Sequence, residues 1–205
     1  MAVIRTILWD VGGVLLTNGW DHCGRAELLQ EFGVDREAFE SRHEEANDLW
    51  EKGRITIRQY LDRTLFYEPR SFTPEQFIAR MQQESQWLPN TAVEVLRQLS
   101  ATPGMVVAML SNESRELMDY RISTFGLDQL FPVCFCSAYV GLRKPDPAIF
   151  KLALEVLHTR PEEAVFIDDR KENAQAASNL GIHGLHYAGP EDLKEQLQRL
   201  GVKLG

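Results

Sequence analysis

AVFIDD at residues 164–169 runs four apolar residues straight into two carboxylates, and MVVAMLS at residues 105–111 runs six into a hydroxyl. Near-continuous apolar runs of this length suit central strands of a parallel sheet covered on both faces. Working outward from these two, strands are predicted at Arg5–Trp9, Met105–Leu110, Val133–Cys136, Ala164–Ile167 and Ile182–Tyr187.

Helix signals fill the spaces between them. Thr91 followed by Glu94 predicts a capping box ahead of AVEVLRQL. Asp146 before Pro147 predicts a side-chain cap with proline at the first helical position, followed by the apolar stripe of IFKLALEVL. Gly126 and Gly181 each follow a helical run, where a left-handed residue ends it. Strand and helix alternating in this way predict right-handed crossovers and an α/β fold, a Rossmann-like parallel sheet.

Residues 17–87 have a different texture, with few Val and Ile and many charged helix formers. Thr56 with Gln59, and Thr73-Pro74 with Gln76, read as helix starts, and Gly33 and Gly53 as stops. About four helices are expected, forming a small all-helical unit inserted after the first strand. The division is therefore an α/β core of 1–16 and 88–205, with a helical insertion of 17–87.

Composition narrows the function. The 205 residues carry 22 Lys and Arg against 30 Asp and Glu, a net charge of −8. Such a chain is a poor candidate for nucleic acid or anionic lipid, which need clustered basic residues. The 44% hydrophobic and 25% charged content is that of an ordinary globular chain. Three cysteines cannot close a disulfide framework, and an odd count fits a reducing compartment. No apolar run approaches membrane-spanning length, and MAVIRTILWD lacks the features of a signal peptide. A cytoplasmic monomer or homodimer is expected.

Chemistry-bearing residues fall at the strand ends. They are Asp10 in WDVGGVLL, Ser111 in MLSNES, Lys144 in GLRKPDP just before a helix, and Asp168 and Asp169 in VFIDDRKEN. Open parallel sheets bind ligands beyond the carboxyl ends of their strands. Brought together there, three carboxylates demand cations. Lys144 is one, and a hard divalent ion, Mg²⁺ above all, is the expected other. Gly12 and Gly13 let backbone N–H groups approach an anion. A carboxylate so surrounded can attack phosphorus and form an aspartyl phosphate that water hydrolyses.

These four segments in this order resemble the haloacid dehalogenase-like hydrolase superfamily, and the resemblance extends over nearly the whole chain. It implies that Asp10 is nucleophile and metal ligand, with the Gly12 carbonyl a second ligand. It implies that Ser111 and the Asn112 backbone hold the phosphoryl group, and that Lys144 steadies both nucleophile and phosphate. Asp169 would be a direct metal ligand, Asp168 a water-mediated one, and Asn173 a supporting hydrogen-bond partner. The superfamily's usual D-x-D-G is D-V-G-G here, so the second Asp, which protonates the leaving group, is absent. Three readings stand: a substrate with a good leaving group, an acid from the helical insertion (Asp21 or His22), or slow turnover. The motif set is similar to bacterial sugar-phosphate phosphatases, which implies a small phosphorylated metabolite as substrate.

Rival readings are a metal-independent dehalogenase, an inactive relative serving as a binding protein, and a receiver-type phosphoacceptor. The Asp168-Asp169 pair argues against the first, and joint retention of Asp10, Ser111, Lys144 and Asp169 against the second. The acidic pair of a receiver comes at the first strand end, whereas here it comes late. Bland readings cover the rest. Glu113 and Arg143 are expected to be solvated, HEEANDLWE to be a wet helix face, and Cys134 and Cys136 to be core. Trp20, Trp50 and Trp87 are expected in the core or between insertion and core.

Overall fold

The computed structural model of the chain describes residues 2–89 and 91–204. Five strands, β1 (Thr6–Trp9), β2 (Val106–Ser111), β3 (Val133–Cys136), β4 (Ala164–Asp168) and β5 (His183–His186), form one sheet in the order β3-β2-β1-β4-β5. Every pairing is parallel, with Trp9 opposite Met109 on one side and Ile167 on the other. The five predicted strands are all present, with no end displaced by more than one residue.

Alternate residues of these strands feed two apolar layers, as the two-residue period of a strand requires. Ile7, Trp9, Val107, Met109, Val165 and Ile167 join the helices α5 (Ala92–Ser100) and α11 (Pro190–Arg199) on one face. Leu8, Ala108, Leu110 and Phe166 join α9 (Pro147–Val156) and α10 (Lys171–Ser178) on the other. With both faces covered, the central strands are apolar between their ends, apart from Thr6 at the start of β1, whose hydroxyl is hydrogen-bonded to that of Thr159. Their carboxyl edge is where polar side chains collect.

Four helices, α1 (His22–Glu31), α2 (Arg36–Glu51), α3 (Ile57–Thr64) and α4 (Pro74–Gln83), stand between β1 and α5. They share an apolar cluster built on Leu28, Phe39, Trp50, Tyr60, Phe77 and Met81, joined by Leu117 from α6 (Arg115–Phe125). Both predicted capping boxes are formed: Thr56 with Gln59, and Thr73 with Gln76. Asp146 accepts from the Ala148 N–H as a cap for α9, and Gly126 ends α6 at φ 63°. The Thr91 capping box does not form, since Thr91 makes no side-chain cap at the start of α5. The short helices α7 (Leu127–Leu130) and α8 (Ser137–Val140) flank β3, and a 3₁₀ turn at Pro161–Glu163 leads into β4.

The two segments joining these four helices to the sheet run side by side. Leu16 bridges Trp87, the Thr17 N–H donates to the Gln86 carbonyl at 2.9 Å, and the Leu88 N–H donates to the Leu15 carbonyl at 2.9 Å. No described helix is long and apolar enough to cross a membrane.

Candidate active site

β1 and β4 are neighbours at the point where the strand order reverses, so Asp10 and Asp168 emerge side by side. One carboxylate oxygen from each of Asp10, Asp168 and Asp169 lies within 4.8 Å of the other two. Lys144 answers two of them, with Nζ 3.1 Å from Asp10 Oδ1 and 2.6 Å from Asp168 Oδ2. The lysine is 2% exposed, so these contacts act in a medium that screens weakly. Burial works against the charge on Lys144, but Asp10 and Asp168 outweigh it and leave its pKa above the ordinary value.

Asp10 is pushed the other way. Its carboxyl is raised to about 7, chiefly by burial and further by Asp168 and Asp169, against the opposing pull of Lys144 and the Ser111 hydroxyl. Asp168 is engaged on both oxygens, by Lys144, by Asn173 Nδ2 at 3.0 and 3.1 Å, and by the Arg170 N–H at 2.8 Å. It is fully buried and anchors Lys144 together with the start of α10, while remaining within reach of the other two carboxylates. Asn112 clamps the lysine backbone: Nδ2 donates to the Lys144 carbonyl and Oδ1 accepts from the Lys144 N–H, both at 2.8 Å. The Lys144–Pro145 peptide that follows is cis.

A cavity of about 80 Å³ opens over these groups. Asp10, Gly12, Ser111, Asn112, Lys144, Asp169 and Asn173 line it, so the sequence-selected residues converge. Gly13, at φ 69°, stands beside Asp169, where any Cβ would run into the carboxylate. The two proposed substitute acids separate. Asp21 lines the cavity while its Oδ1 caps α1 by accepting from Cys23 and Gly24 N–H at 2.9 Å. His22 is exposed, lies outside the lining and is hydrogen-bonded to Arg36.

Several lining residues escape a sequence reading. Glu113 and Arg143, expected in solvent, are both in ion pairs. Buried Glu113 meets Arg121 at 2.9 Å, and half-buried Arg143 reaches Asp48 at 3.1 Å and Glu51 at 2.8 Å. Arg121, 1% exposed, also donates to Ser85 Oγ and to the Thr17 and Asn18 carbonyls. The HEEANDLWE helix is not a wet face: His43, Ala46 and Trp50 are buried, and Asn47 and Glu51 line the cavity. A polar helix face has the same period whether it meets water or a polar cavity, which is why the pattern misleads.

The tryptophans divide. Trp20 and Trp50 line the cavity and share Tyr60, whose hydroxyl accepts from Trp20 Nε1 and whose ring stacks on Trp50. Trp50 Nε1 also donates to Glu116 of α6 at 3.0 Å, tying the helical insertion to the sheet portion. Trp87 is 41% exposed and leans on Phe125, so it is no core residue. Cys136 is buried; Cys134 is half-buried beside Met109.

A parallel sheet carrying a carboxylate beside an ammonium and a further acidic group at its switch point is an α/β fold with a polar, cation-ready site at its carboxyl edge. The chain belongs to the haloacid dehalogenase-like hydrolase family, whose model matches residues 4–181. It is similar in structure to an enzyme of this family from Bacteroides thetaiotaomicron, with a TM-score of 0.81 and 25% identity, covering 95% of this chain and 98% of that one. That enzyme has been crystallised with magnesium, and with magnesium and inorganic phosphate together. Acyl-CoA dehydrogenase family member 10 of Mus musculus is 41% identical over 70 residues, 34% of this chain and 6% of that protein. Drimenol cyclase drtB of Aspergillus calidoustus is 24% identical over 201 residues, 97% of this chain and 37% of that protein. The chain thus spans well under half the length of these two relatives.

Proposed function

We propose that the protein is a Mg²⁺-dependent phosphatase that hydrolyses a small phosphorylated metabolite through an aspartyl phosphate on Asp10. The observation that carries this reading is the Lys144 ammonium seated on Asp10, with Asp169 beside it and Ser111 on the neighbouring strand end. Asp10 and Asp169, with the Gly12 carbonyl, are the groups that would hold the cation. The donor set suits it: hard oxygens, few enough to leave places for phosphate and water. When bound, Mg²⁺ would neutralise the charge that gathers on the phosphoryl oxygens.

The remaining work falls to the chain. An Asp10 oxygen forms a bond to phosphorus as the ester P–O bond breaks, and the leaving oxygen takes the electron pair and a proton from solvent. Water then bonds to phosphorus, the bond to Asp10 breaks, and its electron pair restores the carboxylate. Both protons of that water end on the released phosphate. Lys144 orients Asp10 and neutralises phosphate, while Ser111 and the Asn112 backbone hold the phosphoryl oxygens. Glycine stands at position 12, and Asp21 Oδ1 is engaged in capping α1, so neither position offers the leaving group the acid that the family's usual second Asp supplies. The reading therefore favours substrates whose leaving group departs without one, such as an anomeric or acyl phosphate.

Residues 17–87 act in this reading as a cap over the core formed by 1–16 and 88–205. The cavity of about 80 Å³ is far below the ~300–1,000 Å³ of a pocket for a larger ligand, which supports a small substrate and a cap that opens to admit it. Phosphate release from p-nitrophenyl phosphate, with Mg²⁺ and with a chelator, tests the proposal. Mg²⁺-dependent release that vanishes in Asp10→Asn is the expected result. Full activity in Asp10→Asn would overturn it, as would halide release from a 2-haloacid without metal.

A further inference from the structure

Asn18 comes from the segment leading into the helical insertion, yet its side chain ends among the acidic groups of the sheet edge. Nδ2 lies 3.1 Å from Asp169 Oδ2. A carboxylate only accepts, so the amide nitrogen must face Asp169 and Oδ1 must face the other way. That other way is Gly12: a Cβ placed there would stand 2.7 Å from Asn18 Oδ1, closer than carbon and oxygen pack. Gly13 is constrained in turn, because a Cβ there would run into Asp169 itself. The backbone of Asn18 is held as well, since its carbonyl accepts from the buried Arg121 at 3.2 Å.

We propose that Asn18 is a positioning residue that orients Asp169 for a divalent cation, and that the Gly12-Gly13 pair exists to make room for this amide and carboxylate. Gly13 clears the space that Asp169 occupies, and Gly12 clears the space for the amide that holds it. This gives the two glycines a steric task beyond the anion approach expected from the sequence. Hydrogen-bond partners of metal-binding carboxylates fix their direction, and losing one typically costs about 10–100-fold in metal affinity or activity. The inference rests on the metal-dependent phosphatase reading.

Three variants test it: Asn18→Ala, Gly12→Ala, and the two combined, with Mg²⁺ affinity by calorimetry and melting temperature in chelator as readouts. Asn18→Ala is expected to weaken Mg²⁺ about tenfold or more with its melting temperature little changed. Gly12→Ala displaces the same amide, so it should weaken Mg²⁺ comparably, and the double variant should be no weaker than either single one. Wild-type affinity in Asn18→Ala, or single losses that multiply in the double variant, would overturn the proposal. A wild-type protein that binds no Mg²⁺ would sink the metal reading beneath it. The melting temperatures would then decide the steric part alone: Gly12→Ala should destabilise the wild type and not the Asn18→Ala background, and equal effects in both would refute it.

Discussion

Lys144 Nζ lies between Asp10 and Asp168, 3.1 Å from one carboxylate and 2.6 Å from the other. The lysine is thus shared by the carboxyl ends of the neighbouring strands β1 and β4. Asp168 keeps it in place while Asp10 faces the cavity. This division explains why two adjacent acidic residues at the end of β4 have unlike surroundings: Asp168 is fully buried and Asp169 half-buried beside the cavity.

Removing this cation leaves buried carboxylates facing one another. Lys144→Met is expected to cost about 3–5 kcal/mol of stability, the usual cost of breaking a buried ion pair from one side. Phosphate release should fall with it by at least about a hundredfold, since the charge facing the phosphoryl group is lost. Denaturant unfolding beside a turnover assay checks both, and a variant as stable as wild type would show that the carboxylates had taken up protons instead.

The Asp10 carboxyl, raised by burial from 3.8 to about 7, makes stability depend on pH in a definite direction. Between these two values the folded protein holds a proton that the unfolded chain has released. Stability therefore falls as pH climbs from about 4 to 7 and levels off above, at up to ~1.4 kcal/mol per pH unit. Asp10→Asn has no such proton to lose. In chelator, wild type should lose stability relative to Asp10→Asn across this window, as urea unfolding at several pH values would reveal. Mg²⁺ competes with the same proton, so its affinity should rise with pH up to about 7.

Arg121 is buried with Glu113 as its ionic partner and with the carbonyls of Thr17 and Asn18 as further acceptors. Burial holds the Glu113 carboxyl above its ordinary value, with Arg121 opposing. Arg121→Met is expected to destabilise by about 3–5 kcal/mol, because Glu113 is left buried without its cation. Glu113→Gln in the same chain should return part of that loss. Hydrogen exchange at residues 15–19 and 84–88 should quicken in Arg121→Met, since the guanidinium binds one joining segment by its carbonyls and the other through Ser85.

The sheet and much of its edge were legible because strand polarity is local. Apolar runs ending in Asp10, Ser111 and Asp168 announce both the strand and the edge, and Lys144 is marked by the helix start that follows it. Asn18, Glu113, Arg121 and Arg143 carry no such mark. Asn18 meets Asp169 across 151 positions, and Arg143 meets Asp48 across 95. Nothing in the residues around them distinguishes a side chain that finds a buried partner from one left in water. Thr91 errs the other way: the spacing to Glu94 is correct for a capping box, but the threonine backbone, at ψ 15°, is not extended as the cap requires.

The contact of Arg143 with Asp48 and Glu51 holds α2 down over the cavity beside Lys144. All three side chains are partly exposed; the Arg143–Asp48 pair, the more open of the two, is worth no more than about 1 kcal/mol, and both weaken with salt, that to the better shielded Glu51 less so. Weak contacts would suit the proposed cap, which in that reading opens to admit substrate and shuts again to exclude water. Arg143→Ala should therefore leave global stability within about 1 kcal/mol of wild type while loosening the closed form. Trp50, stacked on Tyr60 and bonded to Glu116 across the same junction, reports the change. In a Trp87→Phe background, which removes the exposed indole, Arg143→Ala should make tryptophan fluorescence more accessible to acrylamide. High salt should produce part of the same effect in the parent chain and little more in the variant. Identical quenching in parent and variant would show that the apolar contacts around Trp50 keep α2 closed without the arginine.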